Sequence, residues 1–267
     1  MATTLLLLSS SFGDATSIIV AFRPHRIVVF ADSRVRTTNS KGDAVHDDMC
    51  KIMTLGTEFA FAETGREGYR RDDPLDPVPE WNGKAEALNA YKAAPDADLY
   101  QVAVRWAIQI TNDFTLFYRA NPSRVRALAG PQGTLLLGLF LGKNKTGALN
   151  TYLARIAFDE TLIVREGAQI PIGYAVDSLL PTDKPYSTNA VTQELLQGKT
   201  VRANEAAKRW ARNARRVRKG ERELRRLEFL IERTSDYDED VHGPINVVEI
   251  GGDSVTWIQN STCKTAR

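Results

Sequence analysis

Three residues of the chain, Thr16, Asp32 and Lys51, have the types and the spacing for one nucleophilic reaction. A threonine hydroxyl attacks a carbonyl group only when a base takes its proton, and the α-amine of a chain-terminal threonine can be that base. A free α-amine has a pKa of about 7.7 to 8.0, so it accepts a proton near neutral pH. Thr16 therefore becomes a nucleophile only after cleavage of the Ala15–Thr16 bond, and the small Ala15 predicts that Thr16 attacks this bond itself.

Asp32 and Lys51 are the charged residues that this chemistry requires. A lysine ammonium beside Thr16 favours the deprotonated hydroxyl and keeps the amine neutral, and a carboxylate holds the ammonium in place. An aspartate at a strand end and a lysine on an edge strand are each common for structural reasons. The prediction therefore depends on the three residues occurring together.

Two apolar, β-branched runs with four residues between them predict a β-hairpin that positions the nucleophile. If Phe22 pairs with Ile27, the register puts Thr16 opposite Ser33 and beside Asp32, with Cβ atoms about 4.5 to 5.5 Å apart across the strands. Both runs are almost continuously apolar, which indicates strands covered on both faces.

The remaining elements predict antiparallel sheets covered by helices. Polar segments at 35–48 and 70–82 are interpreted as loops, the second one exposed. Helical periodicity is found at 99–117 and 201–233. Strand-like runs occur at 50–53, 58–62, 135–141, 150–158 and 170–175, with a last hairpin at 245–250 and 255–258.

Composition restricts the class of protein. The chain has 267 residues, 43% of them hydrophobic and 25% charged, with a net charge of +2, as expected for one globular domain. No apolar run is long enough to span a membrane, and the basic stretch 202–226 is accompanied by no nucleic-acid motif. Two cysteines, Cys50 and Cys263, with no short-range pattern predict neither a disulfide framework nor a zinc site, and we expect Cys50 to be a packed residue. Nothing indicates a metal or a cofactor.

Residues 1–15 are predicted to be a leader. Leu5 to Leu8, followed by serines, are similar to the end of a signal-peptide h-region, but no Lys or Arg precedes Arg23. The leader is thus a propeptide or a truncated signal peptide, and both a cytoplasmic and an exported location stay open.

Several stretches resemble proteasome β-type subunits and the related bacterial peptidase rings. They are 16–21, 31–34, 50–52 and 61–65, and His242–Val248 with Trp257 and Ile258 resembles the late strand of that family and its partner. In that family the mature N-terminal threonine is followed sixteen residues later by an aspartate, and Thr16 and Asp32 keep this spacing.

The resemblance implies an α+β fold, the four-layer αββα sandwich of two antiparallel sheets flanked by helices. This domain would comprise residues 16–260, after the leader 1–15 and before a C-terminal tail, 261–267. The resemblance also implies a set of site residues: Thr16, Asp32 and Lys51 as catalytic groups, the backbone of Glu63 or Thr64 as oxyanion donor, and Asp238 and Asp240 as supporting groups.

By this resemblance we expect a threonine peptidase that acts on peptides or proteins from within a homo-oligomeric ring. Whether an ATP-dependent unfoldase is its partner stays open. Two alternatives keep the same fold. One is a non-catalytic ring or scaffold subunit that retains its leader, and the other is an amidohydrolase acting on a small amide.

Overall fold

A computed structural model describes the part of the chain that forms the sheets and three of its helices. The described residues are 5–8, 18–23, 25–33, 35–39, 42–46, 49–65, 68–71, 75, 78–94, 96–129, 133–144, 146–158, 171–179, 225, 228–229, 231–232, 243–251 and 254–259.

The described elements begin and end as follows. The strands are β1 (Leu5–Leu8), β2 (Ile18–Arg23), β3 (Arg26–Ala31), β4 (Val35–Asn39), β5 (Gly42–His46), β6 (Ile52–Leu55), β7 (Phe59–Gly65), β8 (Gly68–Tyr69), β9 (Trp81–Asn82), β10 (Thr134–Lys143), β11 (Leu149–Phe158), β12 (Ile172–Ser178), β13 (Asn246–Gly251) and β14 (Ser254–Gln259). The helices are α1 (Gly83–Lys92), α2 (Leu99–Ala120) and α3 (Pro122–Ala127).

Two five-stranded antiparallel sheets form the centre of the molecule. The first sheet has the order β1-β2-β3-β13-β14 and the second has the order β12-β11-β10-β7-β6. Their facing sides share one buried apolar cluster, to which β2 and β3 contribute Val20 and Val29, and β7 and β10 contribute Ala62 and Leu139. The chain is therefore an α+β protein in which two antiparallel sheets pack against each other.

The three helices pack on the other face of the second sheet. Trp106 of α2 contacts Phe61 and Phe140, with ring centroids 5.4 and 5.5 Å away. The same indole occupies the place that a Cβ on Gly138 would need, so glycine lets the helix approach the sheet closely.

The ends of α2 and α3 follow sequence signals. At the start of α2, the Asp98 carboxylate accepts a hydrogen bond from Gln101 N–H at 2.9 Å, and the Gln101 side chain accepts one from Asp98 N–H at 3.3 Å. This reciprocal pair is a capping box. Proline at the first position of α3 has no N–H that would need a partner there.

Most of the predicted elements are confirmed, and two loops are corrected. The helix at 99–117, the first hairpin and the strands from 52 onwards are present, with bounds shifted by a few residues. The segment 35–48, predicted as a loop, contains the β4–β5 hairpin, whose polar β-branched residues pair without an apolar pattern. The predicted exposed loop 70–82 buries Val78 and Trp81 near its end.

The predicted helix at 201–233 lies mostly outside the described residues. Those of its residues that are described, at 225, 228–229 and 231–232, are helical. No helix in the described ranges combines the length and the apolar character needed to cross a membrane.

The expectation for Cys50 was wrong, because this residue is disulfide-bonded. The sequence contains one other cysteine, Cys263, which lies outside the described residues. A disulfide requires two cysteines to approach in space, so the absence of a short-range spacing pattern could not exclude it.

Candidate active site

Asp32 and Lys51 form a buried ion pair. Lys51 Nζ donates hydrogen bonds to both carboxylate oxygens of Asp32, at 3.1 and 3.0 Å. Both side chains are 0% exposed. Fully buried lysines and aspartates are rare unless they are paired. The predicted combination of the two charges is therefore present in the fold.

The pair connects the two sheets at one end. Asp32 directly follows β3 of the first sheet, and Lys51 directly precedes β6 of the second sheet. A backbone hydrogen bond of 3.1 Å from Met49 N–H to Ser33 C=O joins the same two segments. At the other end of the sandwich, Val255 N–H donates to Thr57 C=O at 2.9 Å. The position of Lys51 relative to Asp32 thus depends on how the sheets pack.

The predicted register of the first hairpin is confirmed. Phe22 pairs with Ile27 and Ile18 pairs with Ala31, across a turn in which His25 has a φ of 63°. Continued by two residues, this register leads to the predicted pairing of Thr16 with Ser33. Thr16 itself lies outside the described residues.

Other buried polar residues gather at the same end of the sheets. Ser33 and Asn246 are 0% exposed, and Asn246 pairs with Ala31, the residue before Asp32. Ser33 was predicted only as the residue opposite Thr16, and Asn246 was not predicted as a site residue. An asparagine at the start of an apolar strand is nevertheless a recognisable signal. Six of the nine buried polar or charged residues among those described lie at this end: Asp32, Ser33, Lys51, Glu63, Thr64 and Asn246.

Glu63 and Thr64, the candidate oxyanion donors, lie near the end of β7. They pair with Gly138 and Leu137 of β10 on one side, whereas on the other side the pairing with β6 ends at Ala62 and Ile52. Successive residues of a strand direct their N–H groups to opposite neighbours. One of the two amides is therefore directed towards the side of β6, just past its last paired residue and next to Lys51.

The side chains of these two residues lie on opposite faces of β7. The Glu63 carboxylate lies at the N-terminus of α1, where its Oε1 is 3.8 Å from Lys84 Nζ and where a Cβ on Gly83 would overlap its Oε2. Its charge is thus on the helical side of the sheet, away from the facing sides where Asp32 and Lys51 meet. The Thr64 hydroxyl shares the other face with Ala62 and is buried without a hydrogen-bond partner among the described residues.

The supporting residues Asp238 and Asp240 lie outside the described residues. Among the residues that are described, no group of three His, Cys, Asp or Glu side chains is arranged to hold a metal ion.

A cavity of about 420 Å³ lies at the opposite end of the sandwich. Its walls include Phe59, Tyr91 and Ile250, and it reaches neither Asp32 nor Lys51. The Lys51–Asp32 pair is completely shielded from solvent and lies at the other end of the sandwich from this cavity.

Comparison of the sequence with protein-family models and with curated proteins finds no match.

Proposed function

We propose that the chain is a threonine-type N-terminal-nucleophile hydrolase, similar to proteasome β subunits, that is activated by cleavage of the Ala15–Thr16 bond. The observation that carries the proposal is the solvent-shielded Lys51–Asp32 pair at the end of the β2–β3 hairpin, where the register leads to Thr16. A buried ion pair contributes little to stability compared with apolar residues of the same volume, so a functional reason for it gains weight.

In the proposed reaction each group has one role. The Thr16 hydroxyl attacks the carbonyl carbon of Ala15, the C–N bond breaks, and the leaving amine takes the proton, which gives an ester on the Thr16 oxygen and a free α-amine. Water then hydrolyses the ester, releasing the leader as a carboxylate. The Lys51 ammonium, held by Asp32, lowers the pKa of the Thr16 hydroxyl both in leader cleavage and in later turnovers, and in later turnovers the freed amine is the base.

We also propose a backbone donor for the oxyanion that forms in this reaction. The amide of Glu63 or Thr64 that is directed towards β6 would donate to the developing oxyanion.

The four-layer sandwich is part of the proposal. It is supported by the outward face of β2 and β3, where Ile19 and Val28 are 0% exposed and hence are covered. Assembly with other copies into a homo-oligomeric ring is part of the same proposal and rests on the resemblance to proteasome β subunits.

The test is the N-terminus of protein expressed from Met1. Denaturing intact-mass measurement should show a chain that begins at Thr16. Thr16→Ala should stay full length, because it lacks the hydroxyl, whereas Thr16→Ser and the matched neighbour Ser17→Ala should still be processed. Processing that persists in Thr16→Ala would mean that another protease cuts the leader, and the proposal would be withdrawn.

A non-catalytic scaffold subunit with an attached leader is the second candidate. The observation in its favour is that Leu5–Leu8 pairs with β2 as a regular strand of the first sheet. A wild-type chain that keeps its full mass under all conditions would support this second function.

A further inference from the structure

The leader contributes a strand to the first sheet. β1 pairs antiparallel with β2, with Leu5 opposite Ala21 and Leu8 opposite Ile18. β1 lies at the edge of its sheet, so β2 has β1 on one side and β3 on the other. The leader is therefore held by the backbone of the domain as well as by the covalent connection to it.

The proposed cleavage site lies outside this pairing. The pairing of β1 with β2 ends at Leu8 and Ile18, and the Ala15–Thr16 bond belongs to the connection between these residues. Hydrolysis of that bond would cut the connection and would leave every paired residue of β1 and β2 in place. Cleavage and release of the leader are thus two separate events.

The environment of β2 favours retention of the leader. Ile18, Ile19, Val20 and Ala21 are each 0% exposed, so both faces of the strand are covered. Loss of β1 would turn β2 into an apolar edge strand with unpaired N–H and C=O groups, which is a template for pairing with another chain.

We propose that residues 1–15 stay bound after cleavage, paired with β2 as a separate short chain, so that the mature protein consists of two chains. This inference rests on the proposed function, since it presupposes the cut before Thr16. The outer edge of β2 is then a strand-binding site whose ligand is an extended apolar segment, and the leader is the segment that occupies it.

Two mass measurements on the same wild-type sample test the inference. The denaturing measurement should show residues 1–15 and 16–267 as separate masses, and the native measurement should show their sum for each copy in the assembly. Gel filtration before the native measurement should not remove the leader. Separate masses under denaturing conditions together with a native mass of 16–267 alone would overturn the inference and leave the proposed function intact.

A full-length chain in the denaturing measurement would instead contradict the proposed function. Retention is then measured on a variant with a specific protease site in place of residues 9–14, cut in vitro before native mass measurement. Loss of the leader from this nicked chain overturns the inference, and retention supports the strand-binding site on β2.

Proline substitutions show whether the β1–β2 pairing is responsible for retention. The double variant Leu6→Pro/Leu7→Pro removes strand N–H groups, and in the nicked full-length chain its leader should dissociate at least about tenfold faster than the unmodified leader. The matched control Thr3→Pro, before the first paired residue, should retain the leader like the unmodified nicked chain. Equal retention in all three nicked chains would contradict the proposed site.

Discussion

At the scale of single residues, the buried pair of Lys51 and Asp32 has opposite effects on stability and on chemistry. Two charges lose their hydration when they are shielded from solvent, and their attraction offsets this loss only while both partners are present. Removal of one partner leaves the other charge buried without this ion pair, a change that typically costs about 3–5 kcal/mol. Activity and stability must therefore be measured together in variants of this pair.

We expect Lys51→Met and Asp32→Asn each to lower the rate of leader processing by about 100-fold or more, and the double variant to lower it little further, since the two groups act as a unit. The double variant should nevertheless unfold at a higher temperature than either single variant, because it buries neither of the two charges. Time-resolved mass measurement gives the rate, and thermal unfolding gives the stability.

The matched control is the partly exposed ion pair of Arg26 and Glu249, with N–O distance 2.9 Å, at the far end of β3. Arg26→Gln should leave the processing rate unchanged and should change the free energy of unfolding by less than about 1 kcal/mol. If Lys51→Met and Asp32→Asn gave additive losses in the logarithm of the rate, the two residues would act independently.

The identity of the catalytic base is a second question at this scale. If the Thr16 α-amine accepts the proton, the rate of peptide hydrolysis should rise with pH through one apparent pKa of about 6.5 to 8. This is the pKa of a free α-amine, lowered by the neighbouring Lys51 ammonium. A histidine would titrate in the same window. The profile should therefore be repeated in His46→Gln, His242→Gln and His25→Asn, the last chosen because asparagine tolerates the positive φ of that turn.

All three histidine variants should keep both the rate and the apparent pKa. A histidine variant that loses hydrolysis while it still begins at Thr16 would identify a side-chain base, and the amine mechanism would then be wrong even if the fold were right.

At the scale of elements, the contact between α1 and α2 contains an unfavourably placed carboxyl group. Asp113 of α2 is 6% exposed, and its Oδ2 is buried without a hydrogen-bond partner among the described residues. The pKa of Asp113 is raised to about 6, mainly by burial and further by the Glu86 carboxylate of α1. A hydrogen bond from Gln109 lowers the pKa but does not offset the other two causes. The folded state therefore favours the protonated form.

The sign of the pH effect follows from this shift. The folded chain keeps the proton on Asp113 up to about pH 6, whereas the usual pKa is 3.8, so the contribution of this group to stability is greatest below pH 3.8 and decreases as the pH rises towards 6. Asp113→Asn cannot ionise, and we expect it to stabilise the fold by about 2 kcal/mol at pH 8, with the difference disappearing near pH 4. Thermal unfolding of both proteins across this range measures the effect.

Glu86→Gln is the companion variant, since it removes the neighbouring charge and keeps Asp113. It should stabilise the fold at pH 8 in the same direction but by less, because burial is the larger cause of the shift. No stabilisation in Asp113→Asn at pH 8 would mean that the carboxylate is accommodated by the fold.

At the scale of the whole molecule, the segment before Lys51 is covalently cross-linked through Cys50. A disulfide restricts the unfolded chain, and its removal typically costs about 2–4 kcal/mol of stability. Cys50 directly precedes Lys51, which pairs with Asp32 where the two sheets are joined, so we expect the cross-link to stabilise this region.

We expect a reductant to lower the unfolding temperature of the wild-type protein by several degrees. Cys50→Ser should unfold at the temperature of the reduced protein and should not respond to reductant. Thiol titration of the unfolded wild-type chain should detect free Cys50 only after reduction. An unfolding temperature that is independent of reductant would show that this cross-link does not stabilise the fold.

Local patterns in the sequence were sufficient for the hairpin and for most elements. The apolar runs on both sides of residues 23–26 predict the register in which Phe22 pairs with Ile27, because the side-chain period of a strand and a short turn leave few alternatives. The apolar stripe of α2 is likewise predicted by a local pattern, the helical periodicity of residues 99–117. The polar segment 35–48 was misjudged, since its strands pair through the backbone and its sequence has no alternating apolar pattern.

Contacts between distant segments were decided only by the tertiary structure. The tertiary structure brings Lys51 to Asp32, places the Glu63 carboxylate at the N-terminus of α1, and adds Leu5–Leu8 to the edge of the first sheet. Residue types and spacing were sufficient to predict Asp32, Lys51 and Glu63 as residues of one site, because their chemistry is intrinsic to the side chains and the backbone. They could not specify the distances, because the approach of separate strands depends on the packing of the whole core.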